Sequence, residues 1–177
     1  MQVLRLHGAA DVRVHEEPEP VAAPGEELVR ITAVGLCGSD LHWYEDGGIG
    51  TSSVGEPLVL GHEMGGVVVS GPRAGERVIV EPADPCGVCE VCRAGHGNLC
   101  PDVRFWGHAP VHGGLREVMS WPQRLLLPAP DSIEGDHIAL LEPLGIALHG
   151  IDLGLGHAGN DIGVDKAGSN GVDGDSP

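Results

Sequence analysis

Aromatic residues and lysine are scarce in this sequence. Its 177 residues include one Tyr, one Phe and three Trp, and the basic set is nine Arg and a single lysine, Lys166. A core must therefore be packed from Val, Leu, Ile and Ala, within a hydrophobic content of 41%. No apolar run approaches the roughly 18 residues of a membrane-spanning helix, so no such span is expected. The opening MQVLRLHGAADVRV lacks the basic-then-apolar layout of a signal peptide, and a cytoplasmic location is the expectation. Positive charge is also short. The formal net charge of -16 argues against nucleic acid as a partner, because phosphates would be repelled.

Turn-forming residues are abundant, with 29 Gly and 14 Pro. The length fits one domain, or one domain plus a fragment of a second. VLRL, VRV and ELVRITAVG read as strands separated by Gly, Pro and acidic clusters. GSDLHWYEDGG begins as a short helix and dissolves into a loop. LVLGHEMGGVVVSG, ERVIVEP, GGLREVMSW and QRLLLPAP read as further strands. SIEGDHIALLEPLGIALHGIDLG is the best helical stretch, with Pro143 breaking or starting a helix. The fold class is mainly β with short helices. Residues 1–153 form the expected domain. The Gly/Asp-rich segment 154–177 has too few large apolar residues to order itself and is expected to be a disordered tail.

Four of the five cysteines crowd into EPADPCGVCEVCRAGHGNLC, as Cys86, Cys89, Cys92 and Cys100. The spacing Cys-x2-Cys-x2-Cys-x7-Cys in a turn-rich segment suits a tetrahedral zinc. In a cytoplasmic protein disulfides are disfavoured, and four free thiols would invite oxidation. Four thiolates leave no open position, so this zinc would be structural.

The fifth cysteine belongs to a second set. Cys37 lies in GLCGSDLHWYEDG, His62 and Glu63 in LGHEMGG, and Glu142 in LLEPLG. One Cys, one His and carboxylates match the mixed donors of a catalytic zinc, which keeps a position for substrate. Singly, each residue has a plain structural explanation: a core thiol, a turn histidine, a solvated charge. Adjacent residues of an extended chain point to opposite faces, so His62 and Glu63 need a local bend, or Glu63 must act through water.

GLCGSDLHWYEDG, LVLGHEMGGVV, GERVIVEP, the cysteine loop and LLEPLGIALHG occur in this order over residues 1–156. Together they resemble the zinc-dependent medium-chain dehydrogenases, above all the sorbitol (polyol), L-idonate and threonine dehydrogenases. The resemblance implies a GroES-like β-barrel catalytic domain. It implies Cys37, His62 and Glu63 around a catalytic zinc, with Glu142 as a further ligand or a neighbour acting through water. It places Cys86, Cys89, Cys92 and Cys100 around a structural zinc, making two zinc ions per chain. Ser39 matches the hydroxyl that takes the substrate proton, His42 the group that passes it on, and Tyr44 an aromatic residue near the substrate. The implied reaction is oxidation of a secondary alcohol of a polyol or sugar acid to a ketone with NAD or NADP. A simple alcohol, glucose or threonine is the alternative substrate.

The family continues into a Rossmann domain that holds the cofactor, and that domain is expected to be absent here. Gly154-x-Gly156-x-x-Gly159 imitates a dinucleotide fingerprint, but a helical stretch precedes it where a buried strand is required. No cofactor-binding residue is therefore expected in this chain, and the chain alone is expected to be inactive. The rival expectation is a zinc-binding GroES-like relic or interaction module without catalysis. A homo-oligomer of the full-length form is left open, since subunit contacts usually involve the other domain.

Overall fold

The computed structural model describes residues 1–156. The glycine-rich tail therefore lies, from residue 157, outside the described residues. The chain divides into two compact units, Met1–Pro143 and the residues from Leu144 on.

The first unit is mostly strand. β1 (Gln2–Gly8) and β2 (Asp11–Glu16) form an antiparallel hairpin. β3 (Glu26–Gly35) leads to α1 (Gly38–Asp46), and a small hairpin of β4 (Gly48–Ile49) and β5 (Ser52–Ser53) follows. Then come β6 (Glu63–Val68), β7 (Arg77–Val80) and β8 (Ala83–Asp84). The cysteine segment contains the short α2 (Glu90–Arg93) and returns through β9 (Arg104–Phe105), which pairs with β8. β10 (Val118–Pro122) and β11 (Leu126–Pro128) complete a five-stranded antiparallel sheet of order β10-β3-β6-β7-β11. The fold is thus mainly β with short helices, as the strand and turn pattern indicated.

The sheet covers a core of Val29, Met64, Val68, Val78, Val80, Met119 and Leu126, with Trp106 edge-on against Trp121. A second cluster joins Leu6 of the hairpin to Trp43 of α1 and to Leu58 and Leu60. Each such buried side chain contributes about 1.5–3 kcal/mol by leaving water. Three of the five aromatic residues are buried tryptophans, Trp43, Trp106 and Trp121, so the few aromatics serve packing.

LVLG is not a strand. Leu58 makes only an isolated bridge to Leu6, and the ladder starts at Glu63. Likewise GGLREVMSW is strand only from Val118 onward. In the long helical stretch, a 3-10 segment (Gly135–Leu140) precedes α3 (Leu141–Gly156). Pro143 sits in the first turn of α3, where its missing N–H has no partner to lose. Gly154 and Gly156 close α3 and do not follow a strand. That placement is wrong for a phosphate-binding turn, and Gly159 lies outside the described residues.

Candidate metal centres

The cysteine segment leaves the sheet after β8 and returns at β9. Asp84 anchors both ends. Burial is the largest single influence on its carboxyl and acts to raise the pKa, but hydrogen bonds and charge from Arg124 and Arg104 together hold it below the usual range. Between these ends the chain is short and polar, so the sulfurs, not a core, must organise it.

All four sulfurs lie within 4.8 Å of one another. The Cys86–Cys92 and Cys89–Cys100 pairs are 4.0 and 3.9 Å apart. Four ligands about 2.3 Å from a tetrahedral zinc stand roughly 3.8 Å from each other, so this set fits that ion. The thiols are free, not disulfide-bonded. Backbone N–H groups already point at the sulfurs: Cys89 N donates to Cys86 Sγ and Cys92 N to Cys89 Sγ, both at 3.4 Å. Such donors favour thiolates. The backbone around Val88 and Cys89 brings the Cys86 thiol down to about 7. Burial, helped by neighbouring sulfurs, pushes Cys92 up to about 12. Cys86 and Cys92 are thus pulled in opposite directions, and a divalent cation among the sulfurs would favour the thiolate form of both.

The second set assembles where β3 ends and β6 begins. In the β3–β6 ladder Gly35 lies opposite Glu63, and Cys37 follows two residues later as the N-cap of α1. Gly61, at φ +93°, turns the chain immediately before His62. This is the bend that lets His62 and Glu63 serve one point. Ligand atoms of Cys37, His62 and Glu63 lie within 4.8 Å of one another. Sulfur, imidazole nitrogen and carboxylate oxygen make a three-ligand set with room for a fourth partner, a fit for a zinc that admits substrate. Phe105 tilts against the His62 ring, with centroids 5.3 Å apart.

Glu142, in the first turn of α3, lies outside this 4.8 Å set but within electrostatic reach of it. Burial, and then the charges of Glu63 and Glu81, push its carboxyl up to about 7. Ser39 is half-buried in the first turn of α1. His42 is exposed on the same helix, its Nδ1 3.2 Å from Asp46 Oδ2. Tyr44 is exposed, whereas its neighbour Trp43 is buried.

The sequence reading passed over Asp40. This carboxylate is 2% exposed. Its Oδ1 accepts from Gly61 N at 3.1 Å and its Oδ2 from Cys37 N at 3.0 Å. Oδ2 also lies 3.7 Å from His62 Nδ1. One side chain thus ties together the segments that carry Cys37 and His62 and sets a carboxylate beside the imidazole, as a group behind a metal ligand would. Its signal in the sequence is an acidic residue three positions after the N-cap of a short helix.

Residues 23–131 match the alcohol dehydrogenase GroES-like domain. The chain belongs to that family. Sorbitol dehydrogenase of Bacillus subtilis (strain 168) is 37% identical over 155 residues, which are 84% of this chain and 44% of the relative. Sorbitol dehydrogenase of Rattus norvegicus is 35% identical over 175 residues, 96% of this chain and 49% of the relative. The crystal structure of L-idonate 5-dehydrogenase from Escherichia coli superposes with a TM-score of 0.78 at 35% identity, over 84% of this chain and 45% of that one. The chain therefore spans less than half the length of these relatives. The resemblance read from the five motifs holds: this is a GroES-like fold of the medium-chain dehydrogenases. Among the described residues no helix is long and apolar enough to cross a membrane.

Proposed function

We propose that this chain is the metal-binding and proton-handling part of a zinc-dependent polyol dehydrogenase. In the whole protein it would oxidise a secondary alcohol of a polyol or sugar acid to a ketone, with NAD or NADP accepting the hydride. The observation that carries this reading is the convergence of Cys37, His62 and Glu63 within 4.8 Å, braced by Asp40. The names of the relatives, two sorbitol dehydrogenases and an L-idonate 5-dehydrogenase, support the substrate class.

In this reading the chain holds two zinc ions. The four-cysteine cage fixes the loop between β8 and β9. A zinc at Cys37, His62 and Glu63 supplies Lewis acidity toward an alcohol hydroxyl. Ser39, two residues after Cys37, would take the hydroxyl proton while passing its own on to His42. His42 lies three residues further along the same helix face and is exposed, so it releases that proton to solvent. Asp46 accepts from His42 Nδ1–H, leaving Nε2 free to receive the proton. Glu142 serves as a further ligand or acts through water. Tyr44 borders the space for the substrate chain, and the compartment is cytoplasmic.

Elemental analysis tests the metal part. Two zinc ions per chain are expected, and Cys37→Ser should leave one. A single zinc that survives Cys37→Ser sinks the reading. The catalytic part is tested by joining the chain to the cofactor domain of a sorbitol dehydrogenase relative and following nicotinamide reduction with sorbitol. Ser39→Ala in that protein should lower kcat by about 10²–10⁴.

A further inference from the structure

A trough that neither metal set uses runs from the C-terminal end of α1. Two cavities meet there and share Ser52 and Ser53 as a common wall. The first, about 350 Å³, reaches back to Asp46, the residue bound to His42. The second, about 420 Å³, is bounded by Glu56, His112 and the apolar Leu58, Ala109 and Pro110.

The shared wall is held in place from behind. Gly47, at φ +70°, ends α1, and Val54 N donates to its carbonyl at 2.9 Å. Ile49, at the end of β4, and Val54, just past β5, both pack against the cluster around Trp43. On the far side, Ala109 lies four residues beyond Phe105, whose ring tilts against His62. The walls are thus continuations of α1, which starts at Cys37, and of the segment that touches His62.

The polar groups of the trough are uncommitted. Among the described residues, the side chains of Thr51, Ser52, Ser53 and Glu56 make no hydrogen bond or ion pair. A hydroxyl both donates and accepts, and a carboxylate can accept from two hydroxyls at once. Hydroxyls and a carboxylate beside an apolar floor match a chain of adjacent C–OH groups, whose C–H edges take the apolar side. The charge is one-sided. No lysine or arginine lines either cavity. His112 is neutral near pH 7, because burial, Arg5 and Arg116 hold its pKa down. Arg5 itself is bound through two hydrogen bonds by Glu17. Glu56 therefore presents a negative charge that nothing in the wall of its cavity offsets.

We propose that Ser52, Ser53 and Glu56 bind the far hydroxyls of a neutral polyol and turn away sugar acids and polyol phosphates. Attraction comes from the hydroxyls, and rejection of the wrong substrate from the unpaired carboxylate. This inference rests on the dehydrogenase reading and narrows it, since that reading admits a polyol or a sugar acid.

The test uses the zinc-loaded full chain, its backbone amide resonances followed by NMR as sorbitol, gluconate or sorbitol 6-phosphate is added. Sorbitol should shift the amides of Ser52, Ser53 and Glu56 along a saturating curve. The two anions should bind at least about fivefold more weakly, because like charges a few ångströms apart repel even in water. Glu56→Gln should remove that difference by strengthening gluconate. Replacing Ser52 and Ser53 together by Ala should weaken sorbitol at least about fivefold, for two lost hydrogen bonds. Unchanged amide shifts elsewhere would show that each variant is folded, and Ser53→Ala alone replaces the double variant if it is not. The amides of Gly38 and Ser39, beside Cys37, report separately on the mixed set. If sorbitol shifts these and leaves Ser52, Ser53 and Glu56 unmoved, the inference falls and the dehydrogenase reading stands. If only the trough responds, polyol binding there stands and it is the dehydrogenase reading that fails. The inference is overturned if gluconate binds the parent as tightly as sorbitol, if Glu56→Gln leaves their ratio unchanged, or if sorbitol shifts nothing.

Discussion

Gly35 and Glu63 are ladder partners, and the room a side chain at Gly35 would need is taken by the Glu63 carboxylate. A Cβ at Gly35 would run into Glu63 Oε2. The glycine is therefore the space in which the Glu63 carboxylate folds back toward Cys37 and His62. Gly35→Ala should leave the sheet in place, since the carboxylate is the end of a flexible chain and Glu63 Cβ, 3.0 Å away, need give by only a few tenths of an ångström. Its effect should be to drive the carboxylate away. Zinc content should fall from two to one per chain while circular dichroism stays unchanged.

Asp40 answers two backbone donors with two oxygens. Asp40→Asn keeps one acceptor and turns an N–H₂ group toward the other donor. A buried unsatisfied group of this kind lowers stability by about 1–3 kcal/mol. The midpoint of urea unfolding should shift accordingly. Loss of the brace on His62 should also weaken zinc at the mixed site by roughly 10–100-fold, read by chelator competition.

The cysteine cage predicts a stability that depends on metal. Cys100 is buried at 4% exposure and is the cage member that follows the longest gap in sequence. Cys100→Ser should lose one zinc and melt at a lower temperature than the parent. A strong chelator should lower the melting temperature of the parent, and should lower that of the variant by less.

His112 predicts a pH dependence. Burial, reinforced by Arg5 and Arg116, holds its imidazole below the ordinary pKa, with Glu17 and Glu56 opposing weakly. Arg5 Nη1 lies 3.2 Å from Nε2, and Val59 N donates to Nδ1 at 3.4 Å; a neutral ring can accept from one of these two donors and a protonated ring from neither, so the neutral form is favoured. The unfolded chain takes up this proton near about pH 6.5, and the folded chain only lower. Stability from this group is complete above that pH and is lost as pH falls through the folded pKa. His112→Gln should flatten this part of the stability profile in the zinc-loaded chain, measured by denaturant midpoints.

The cysteine cage was legible because its ligands are local, and spacing alone almost defines the geometry. Cys37, His62 and Glu63 were legible as residue types, but what unites them is the register of β3 on β6. Gly61 supplies the bend that alternation along a strand denied, and a lone glycine in a glycine-rich sequence gives no hint of it. Asp40 was missed because a buried brace and a solvated helix-start acid look alike in sequence. LVLG read as strand because it is apolar, yet its backbone has no long partner and its side chains fill the second cluster.

The two ligand sets proposed for zinc also differ in when a growing chain can complete them. The cage closes once Cys100 has been made, over a short loop whose closure entropy is small. The mixed set waits for β3 and β6 to pair, and β3 is covered on its other side only when β10 arrives. If both sets take zinc as proposed, a nascent chain would hold its first metal before its sheet exists, and the second would enter only after the long-range strand pairs have formed.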